Sequence, residues 1–312
     1  MRKRLSLLFL MALAMLVVTA CSSPETASES AVPVATEAEA EEAAAEAEPT
    51  ETEEAPASAE EPTEVSEPAP AAQAVSESHL NQILERGTLR VGTTGDWNPM
   101  SFKDPDSGDY TGHDIDMVMQ LAADMEVEVE FVPTDWKNIV TGVVADKYDI
   151  TTSASLNPGR AKVAGYSLPY AQVGTVPMML KDNEGKFSSW EDINSADVKV
   201  AITLGTVFEE QAKKFFPDAE LISVEAPARD YQEVLAGRAD VSITSNIEAS
   251  TLLQTYPEMM VVPVDQPRNE NGLGMLLPQN DQVWINYVNT WVRGKQISGF
   301  FDGLEAEWLA TE

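Results

Sequence analysis

Cysteine, histidine and basic charge are what this chain of 312 residues has least of. Cys21 is its one cysteine, and His79 and His113 are its two histidines. A single thiol near the N-terminus excludes a disulfide framework, a thiolate metal site and a cysteine nucleophile from the folded part. Two histidines, with His113 in a turn ahead of a helical pattern, leave a metal cluster or a Ser-His catalytic pair without its parts. No glycine loop of the kind that cradles phosphate stands out, so neither metal nor cofactor is expected. From Ser22 to Ser78 there is no Lys, no Arg and no aromatic residue.

What that stretch does contain is almost wholly Ala, Glu, Pro, Ser, Thr and Val, with 16 Glu among its 57 residues. Such a composition buries too little apolar surface to offset conformational entropy, so residues 21–78 read as a disordered acidic tether. Flexible-chain scaling gives it a root-mean-square reach of roughly 40 Å, extended further by charge repulsion. Ahead of it, residues 1–20 open on Arg2, Lys3 and Arg4, run apolar from Leu5 to Val18, and end in Val18-Thr19-Ala20 before Cys21. The run is short for a membrane span and ends in small residues, so it reads as a secretory signal peptide. Cys21 is then the lipidated first residue of a bacterial lipoprotein, and the expected location is extracytoplasmic, lipid-anchored to the cell membrane at the cell surface or in the periplasm. Beyond the tether 36 acidic side chains stand against 17 basic ones. That balance argues against nucleic acid or an anionic surface as partner. It leaves a pocket unconstrained, since one buried Arg outweighs a distant acidic exterior.

Read in order from His79, the folded part begins with a short helix to Arg86. A strand at Leu89–Thr94 breaks at Gly95-Asp96-Trp97-Asn98-Pro99. Ile115, Val118, Ala122 and Met125 recur at helical spacing, and Val127, Val129 and Phe131 alternate with Glu as in a half-buried strand. Trp136, Ile139, Val140 and Val143 mark a second helix, and a strand follows from Ile150. The plan recurs in the strand Val198–Ile202, the helix from Thr206 through Phe215, the strand Leu221–Val224, the helix Tyr231–Ala236 and the strand Val241–Ser245. Alternating units of this kind predict an α/β fold of two lobes, each a mainly parallel sheet faced by helices. Lobe 1 is expected at about 79–172 and 271–312 and lobe 2 at about 176–266, with two crossings as a hinge and a ligand in the cleft between them. Asp149 and Asp240, which precede matching strands, read as turn residues.

The stretch Asp149–Arg160 carries the densest chemistry. A β-type run ends in Ser153 and Ser155, turns at Asn157-Pro158-Gly159, and presents Arg160. A guanidinium offers planar paired donors for a carboxylate, and hydroxyls and loop amides add the rest. The same pattern also fits an Arg160 that opens the next segment and pairs with a surface acid.

Residues from about Ile83 to Leu309 resemble the family 3 extracellular solute-binding proteins. The motifs that carry the resemblance are Gly-Thr-Thr-Gly-Asp-Trp at 92–97, Gly-His-Asp-Ile-Asp-Met at 112–117 and Lys-Tyr-Asp-Ile at 147–150. Asn-Pro-Gly-Arg at 157–160, Tyr-Ser-Leu-Pro-Tyr at 166–170 and Ala-Gly-Arg-Ala-Asp-Val at 236–241 continue it. The resemblance implies the type II periplasmic-binding-protein fold and delivery of a solute, an amino acid or related organic acid, to the permease of an ABC importer. It also implies a ligand site: Arg160, Ser153 and Ser155 for a carboxylate, Thr206 from the opposite lobe at a helix N-terminus, and Trp97 and Trp136 as aromatic cover. Packing into the core is the competing reading for the two Trp. Where many family members carry an acid for a ligand ammonium, Ser245 stands here, so the ligand either lacks an α-amino group or meets Asp96 or Glu209.

Within the family, Phe131–Trp136 and Met275–Pro278 are most similar to the cyclohexadienyl dehydratase branch, whose members eliminate water from prephenate or arogenate. That branch places a general acid three residues after the glycine that opens the second-lobe helix. With Gly205 as that glycine the position is Phe208, and Glu209 follows one residue later, about 100° further round a helix. The expectation is therefore a binding protein rather than an enzyme, with the dehydratase, with Glu209 as its acid, as alternative and a sensory receptor as another.

Overall fold

The computed structural model describes residues 77–309. The signal peptide, Cys21 and all but the last two residues of the tether lie outside them. Among the described residues no helix is long and apolar enough to cross a membrane.

The first lobe is built on α1 (His79–Arg86), β1 (Thr88–Thr93), α2 (His113–Asp124), β5 (Glu128–Pro133), α3 (Ile139–Val144) and β6 (Ile150–Ser155). β1 lies parallel to both β5 and β6. Between β1 and α2 three short strands, β2 (Asp96–Trp97), β3 (Ser101–Lys103) and β4 (Tyr110–Thr111), form a small separate sheet. The second lobe repeats the plan with β9 (Lys199–Thr203), α5 (Val207–Phe215), β10 (Glu220–Val224), α6 (Asp230–Leu235) and β11 (Val241–Ser245), preceded by a short α4 (Trp190–Ile193). Here too the central strand β9 is parallel to its neighbours β10 and β11. Helix α7 (Asn246–Thr255) and strand β12 (Met259–Val261) follow, and α8 (Gln282–Ser298) and α9 (Phe300–Trp308) close the chain.

Two long antiparallel strands join these parallel halves, β8 (Ala171–Leu180) and β13 (Arg268–Leu277), and β7 (Gly165–Tyr166) pairs with the latter. Ala171–Thr175 pairs with β13, whereas Thr175–Met178 pairs with β11, so the chain passes from one lobe into the other at Thr175. The return pairing shifts register between Arg268 and Asn271. Across the junction the strand order is β10-β9-β11-β8-β13-β6-β1-β5, one continuous twisted sheet.

Each lobe has its own core. Leu89, Val91, Ile150 and Leu276 pack with Met117, Leu121, Ile139, Trp284 and Val288 in the first. In β9 the alternation of side chains sends Val200 and Ile202 to a cluster with Trp190, Ala212 and Phe216, and Ala201 to a cluster with Val234, Ala249 and Leu252. Helices therefore cover both faces of the second sheet.

Asp149, expected as a turn residue, is a fully buried anchor. Its carboxylate accepts from Arg86 Nη2 at 2.5 Å, from Arg90 Nη2 at 2.6 Å and from the Arg90 N–H at 2.8 Å, fixing α1 and β1 to the foot of β6. Removing one partner of a buried ion group leaves the others desolvated and unpaired, so Asp149→Ala should cost about 3–5 kcal/mol. Asp146, which meets Arg90 with 58% of its side chain exposed, should cost under about 1 kcal/mol when replaced. Urea denaturation of the two variants checks this, and equal midpoints would contradict it.

Candidate functional site

Where β6 and α5 face each other across the two lobes, they leave a narrow cavity of about 20 Å3, lined by Trp97, Trp136, Ser153, Ser155, Arg160, Thr206, Val207, Phe208 and Arg229. A more open groove of about 640 Å3 lies beside the crossing strands, against Tyr170, Gln172, Asn246 and Gln296, but among the described residues no cationic side chain lines it.

The turn after β6 sets the position of Arg160. Asn157 Oδ1 accepts from the N–H groups of Gly159 at 2.7 Å and Arg160 at 3.2 Å, folding the loop back on itself before the helical turn Arg160–Lys162. From there the guanidinium reaches the other lobe, donating from Nη2 to the Gly205 carbonyl at 3.1 Å. Gly205 lies at φ +83°, and a Cβ there would fall 2.6 Å from the backbone nitrogen of Lys137 in the first lobe. Only glycine permits this approach. Asn157 Nδ2 adds a second interlobe contact to Glu210 at 3.0 Å.

Thr206 is the N-cap of α5, so the first amides of that helix open next to the cavity and its dipole favours an anion there. The Thr206 hydroxyl is directed inward, donating to the Thr203 carbonyl at 2.7 Å. Ser153 sits in the left-handed region at φ +58°. Its N–H donates to Tyr170 Oη and its Oγ to Asp114 Oδ2 at 2.5 Å, and Tyr170 Oη donates to the same carboxylate oxygen. With its proton committed to Asp114, Ser153 Oγ has only lone pairs left for the cavity, contrary to the expectation that it donates to a carboxylate. The Ser155 hydroxyl forms no hydrogen bond with the described residues and keeps its proton available.

Trp97 and Trp136 meet edge to face with centroids 5.9 Å apart. Both belong to the first-lobe core and also line the cavity, so wall and core are one structure. Trp136 Nε1 donates to Asp96 Oδ1 at 3.0 Å, whereas Trp97 Nε1 is buried without a partner among the described residues.

Neither Asp96 nor Ser245 lines this cavity, although Asp96 sits directly behind its wall, in contact with Trp136 and Arg229. The Asp96 carboxylate is taken up by Trp136 and by Arg229, whose Nη1 is 3.5 Å from Oδ2, and the Asp96 carbonyl also accepts from Arg229. Ser245 is buried at the start of α7, where its Oγ accepts from the Glu248 N–H at 3.0 Å. Capping a helix is what a serine at that position does best.

Arg229 is the lining residue that the sequence reading missed. It is 6% exposed and donates from Nη2 to both carboxylate oxygens of Glu248, at 2.7 and 3.0 Å. Asp230 Oδ1 lies 3.9 Å from its Nε, which has no hydrogen-bond partner among the described residues. Burial works against the charge, but Glu248, Asp96 and Asp230 outweigh it and keep the guanidinium firmly protonated. Burial pushes the Glu248 carboxyl up to about 7 even so. An Arg before a helix in a stretch of Pro and Ala carries no motif, and only the tertiary pairing with Glu248 gives it away.

Phe208 faces the cavity, whereas Glu209 turns away, accepting from the Gly205 N–H at 2.9 Å and from Lys213 Nζ at 2.7 Å. Burial raises its carboxyl, yet these two partners together hold it below the usual range. Elsewhere, ligand atoms of His79, Asp146 and Asp149 lie within 4.8 Å of one another. The two carboxylates of that group are already neutralised by Arg86 and Arg90.

The chain has relatives among known proteins. The chain is similar to the cyclohexadienyl dehydratase of Pseudomonas aeruginosa, 32% identical over 242 residues, covering 77% of this chain and 90% of that protein. It is 26% identical over 238 residues to the L-cystine-binding protein TcyJ of Escherichia coli, covering 76% of this chain and 88% of the relative. The crystal structure of the ancestral amino acid-binding protein AncCDT-1, described as a precursor of cyclohexadienyl dehydratase, superposes with a TM-score of 0.70 at 39% identity, covering 75% of this chain and all of that one. Such neighbours share the two-lobed type II periplasmic-binding-protein fold. With the family model matching residues 89–311, the chain belongs to the bacterial extracellular solute-binding proteins, family 3.

Proposed function

We propose that the protein captures a small carboxylate-bearing solute, an amino acid or related organic acid, between its lobes and hands it to the permease of an ABC importer. The observation that carries this is the convergence of Arg160 from one lobe and the start of α5 from the other on one aromatic-walled cavity. A carboxylate there would accept from the guanidinium, from Ser155 and from the helix amides, with Trp97, Trp136 and Phe208 around its apolar part. Since the ligand touches both lobes, it favours the closed arrangement by its differential affinity, a hinge motion about the crossing strands.

Arg160→Ala should weaken binding by about 2–5 kcal/mol, because the carboxylate would then be buried with its main partner gone. The check is a thermal-shift screen of amino acids, keto acids and other small carboxylates, then calorimetric titration of the best hit. Unchanged affinity in the variant would remove Arg160 from the site.

The dehydratase relative supports a second reading, elimination of water from prephenate or arogenate. Two features weigh against it. Phe208 occupies the cavity wall where the resemblance calls for an acid, and Glu209 is tied to Lys213 and kept ionised, the wrong state for a proton donor. Purified protein given prephenate or arogenate should therefore form no phenylpyruvate or phenylalanine above background. Turnover that Glu209→Gln abolishes would reverse the assignment.

The N-terminal sequence supports a lipid anchor at Cys21, with the acidic tether holding the domain off the membrane surface. Cys21→Ser should move the protein from the membrane fraction to the soluble one, and retention in membranes would contradict the anchor.

A further inference from the structure

Arg229 is the one described residue that lines both the interlobe cavity and a neighbouring crevice of about 280 Å3, so it is the partition between them. Asp96 borders that crevice from the first lobe and Glu248 from the second. Arg229 Nη2 donates to Glu248, its Nη1 meets both the carbonyl and the carboxylate of Asp96, and Asp230 Oδ1 lies 3.9 Å from its Nε. None of these three acids pairs with another cation among the described residues. Three carboxylates converging on a single buried guanidinium make a cation site, with the protein's own side chain as its occupant. What remains of the cavity beside it, about 20 Å3, is room for about one water.

We infer that Arg229 is a specificity-determining residue, a resident cation that holds the place where the cationic group of a solute would sit and so bars carboxylate-bearing solutes with a positively charged tail. This rests on the carboxylate-binding reading above and deepens it. A tail that runs from a carboxylate on Arg160 towards these acids would meet a guanidinium already paired with them. It would give up its hydration without gaining a counter-charge, and like charges would repel where little water screens them. The tethered cation also has the advantage over a free one, since it loses no translational freedom in taking the place. Without the Arg229 side chain, cavity and crevice would run together, and Asp96, Asp230 and Glu248 would face a solute held by Arg160.

The test is calorimetric titration of the full chain and of its Arg229→Gly variant with methylguanidinium and with three guanidino acids of increasing spacer, guanidinoacetate, 3-guanidinopropionate and 4-guanidinobutyrate. The unaltered protein should bind none of them. Arg229→Gly should bind methylguanidinium, and should bind the guanidino acid of best-fitting spacer about tenfold or more tighter still, a gain that adding Arg160→Ala removes. A merely structural Arg229 would lose stability on replacement and gain no ligand. Because the change strands three acids, the variant is produced with the guanidino acids present, and Arg229→Gly with Glu248→Gln serves where it fails to fold. Failure of both to fold even then, folded variants that bind none of the four probes, or equally tight binding by the unaltered protein overturns the inference. The carboxylate-binding reading is then decided separately, by titrating Arg160→Ala with the best carboxylate of the screen. If Arg229→Gly binds methylguanidinium as tightly as every guanidino acid, the resident cation is upheld and the carboxylate-binding reading is what fails.

Discussion

A guanidinium in one lobe hydrogen-bonded to a backbone carbonyl of the other is the contact on which the rest of the site depends. Arg160 reaches Gly205 because the Asn157 side chain tightens the turn beneath it, and because position 205, at positive φ and against the Lys137 backbone, has no Cβ. The same closeness brings the N-terminus of α5 to the cavity. A cation and a set of helix amides from opposite lobes then face one narrow space, where little water remains to screen them. Exposed interlobe pairs such as Lys137–Glu225 contribute far less, since both partners stay hydrated.

The two lobes can work this way because they are one sheet divided by its connectivity. Parallel strands need crossover helices, which thicken each half into its own core, whereas the two crossing strands are antiparallel and carry no helix between the lobes. The pairing of β13 with β8 shifts register between Arg268 and Asn271, which interrupts the ladder where the proposed hinge motion would bend it. In the proposed function a ligand touching both halves would favour that motion, and the polar network behind Ser153, with Asp114 holding both Ser153 and Tyr170, ties the first-lobe wall together.

Most of the fold was legible because its signals are local. The helix His79–Arg86 was found to the residue, and the strand and helix units of both halves fell within a few residues of their observed bounds. The three-stranded sheet at Asp96–Thr111 escaped because its strands are two or three residues long and leave no periodic trace. Helix α7 escaped because buried Glu248 interrupts its apolar pattern. In the site, Arg160, Ser153, Ser155, Thr206, Trp97 and Trp136 meet at one cavity. Position 245 does not: a serine after a strand and before a helix is a cap, and its neighbour Glu248 spends its charge on Arg229. Such a pairing over 19 residues is set by tertiary packing, and no local spacing announces it. The role of Ser153 was misread for the same reason, since Asp114 takes its proton from 39 positions away.

The central claim is that one carboxylate is held jointly by the two lobes. A crystal structure of the protein with its tightest-binding carboxylate tests this most directly. The account predicts a carboxylate within hydrogen-bonding distance of the Arg160 guanidinium and of an amide in the first turn of α5, with Trp97 and Trp136 against the rest of the molecule. A ligand seated elsewhere, or one touching a single lobe with Arg160 turned to solvent, would contradict it.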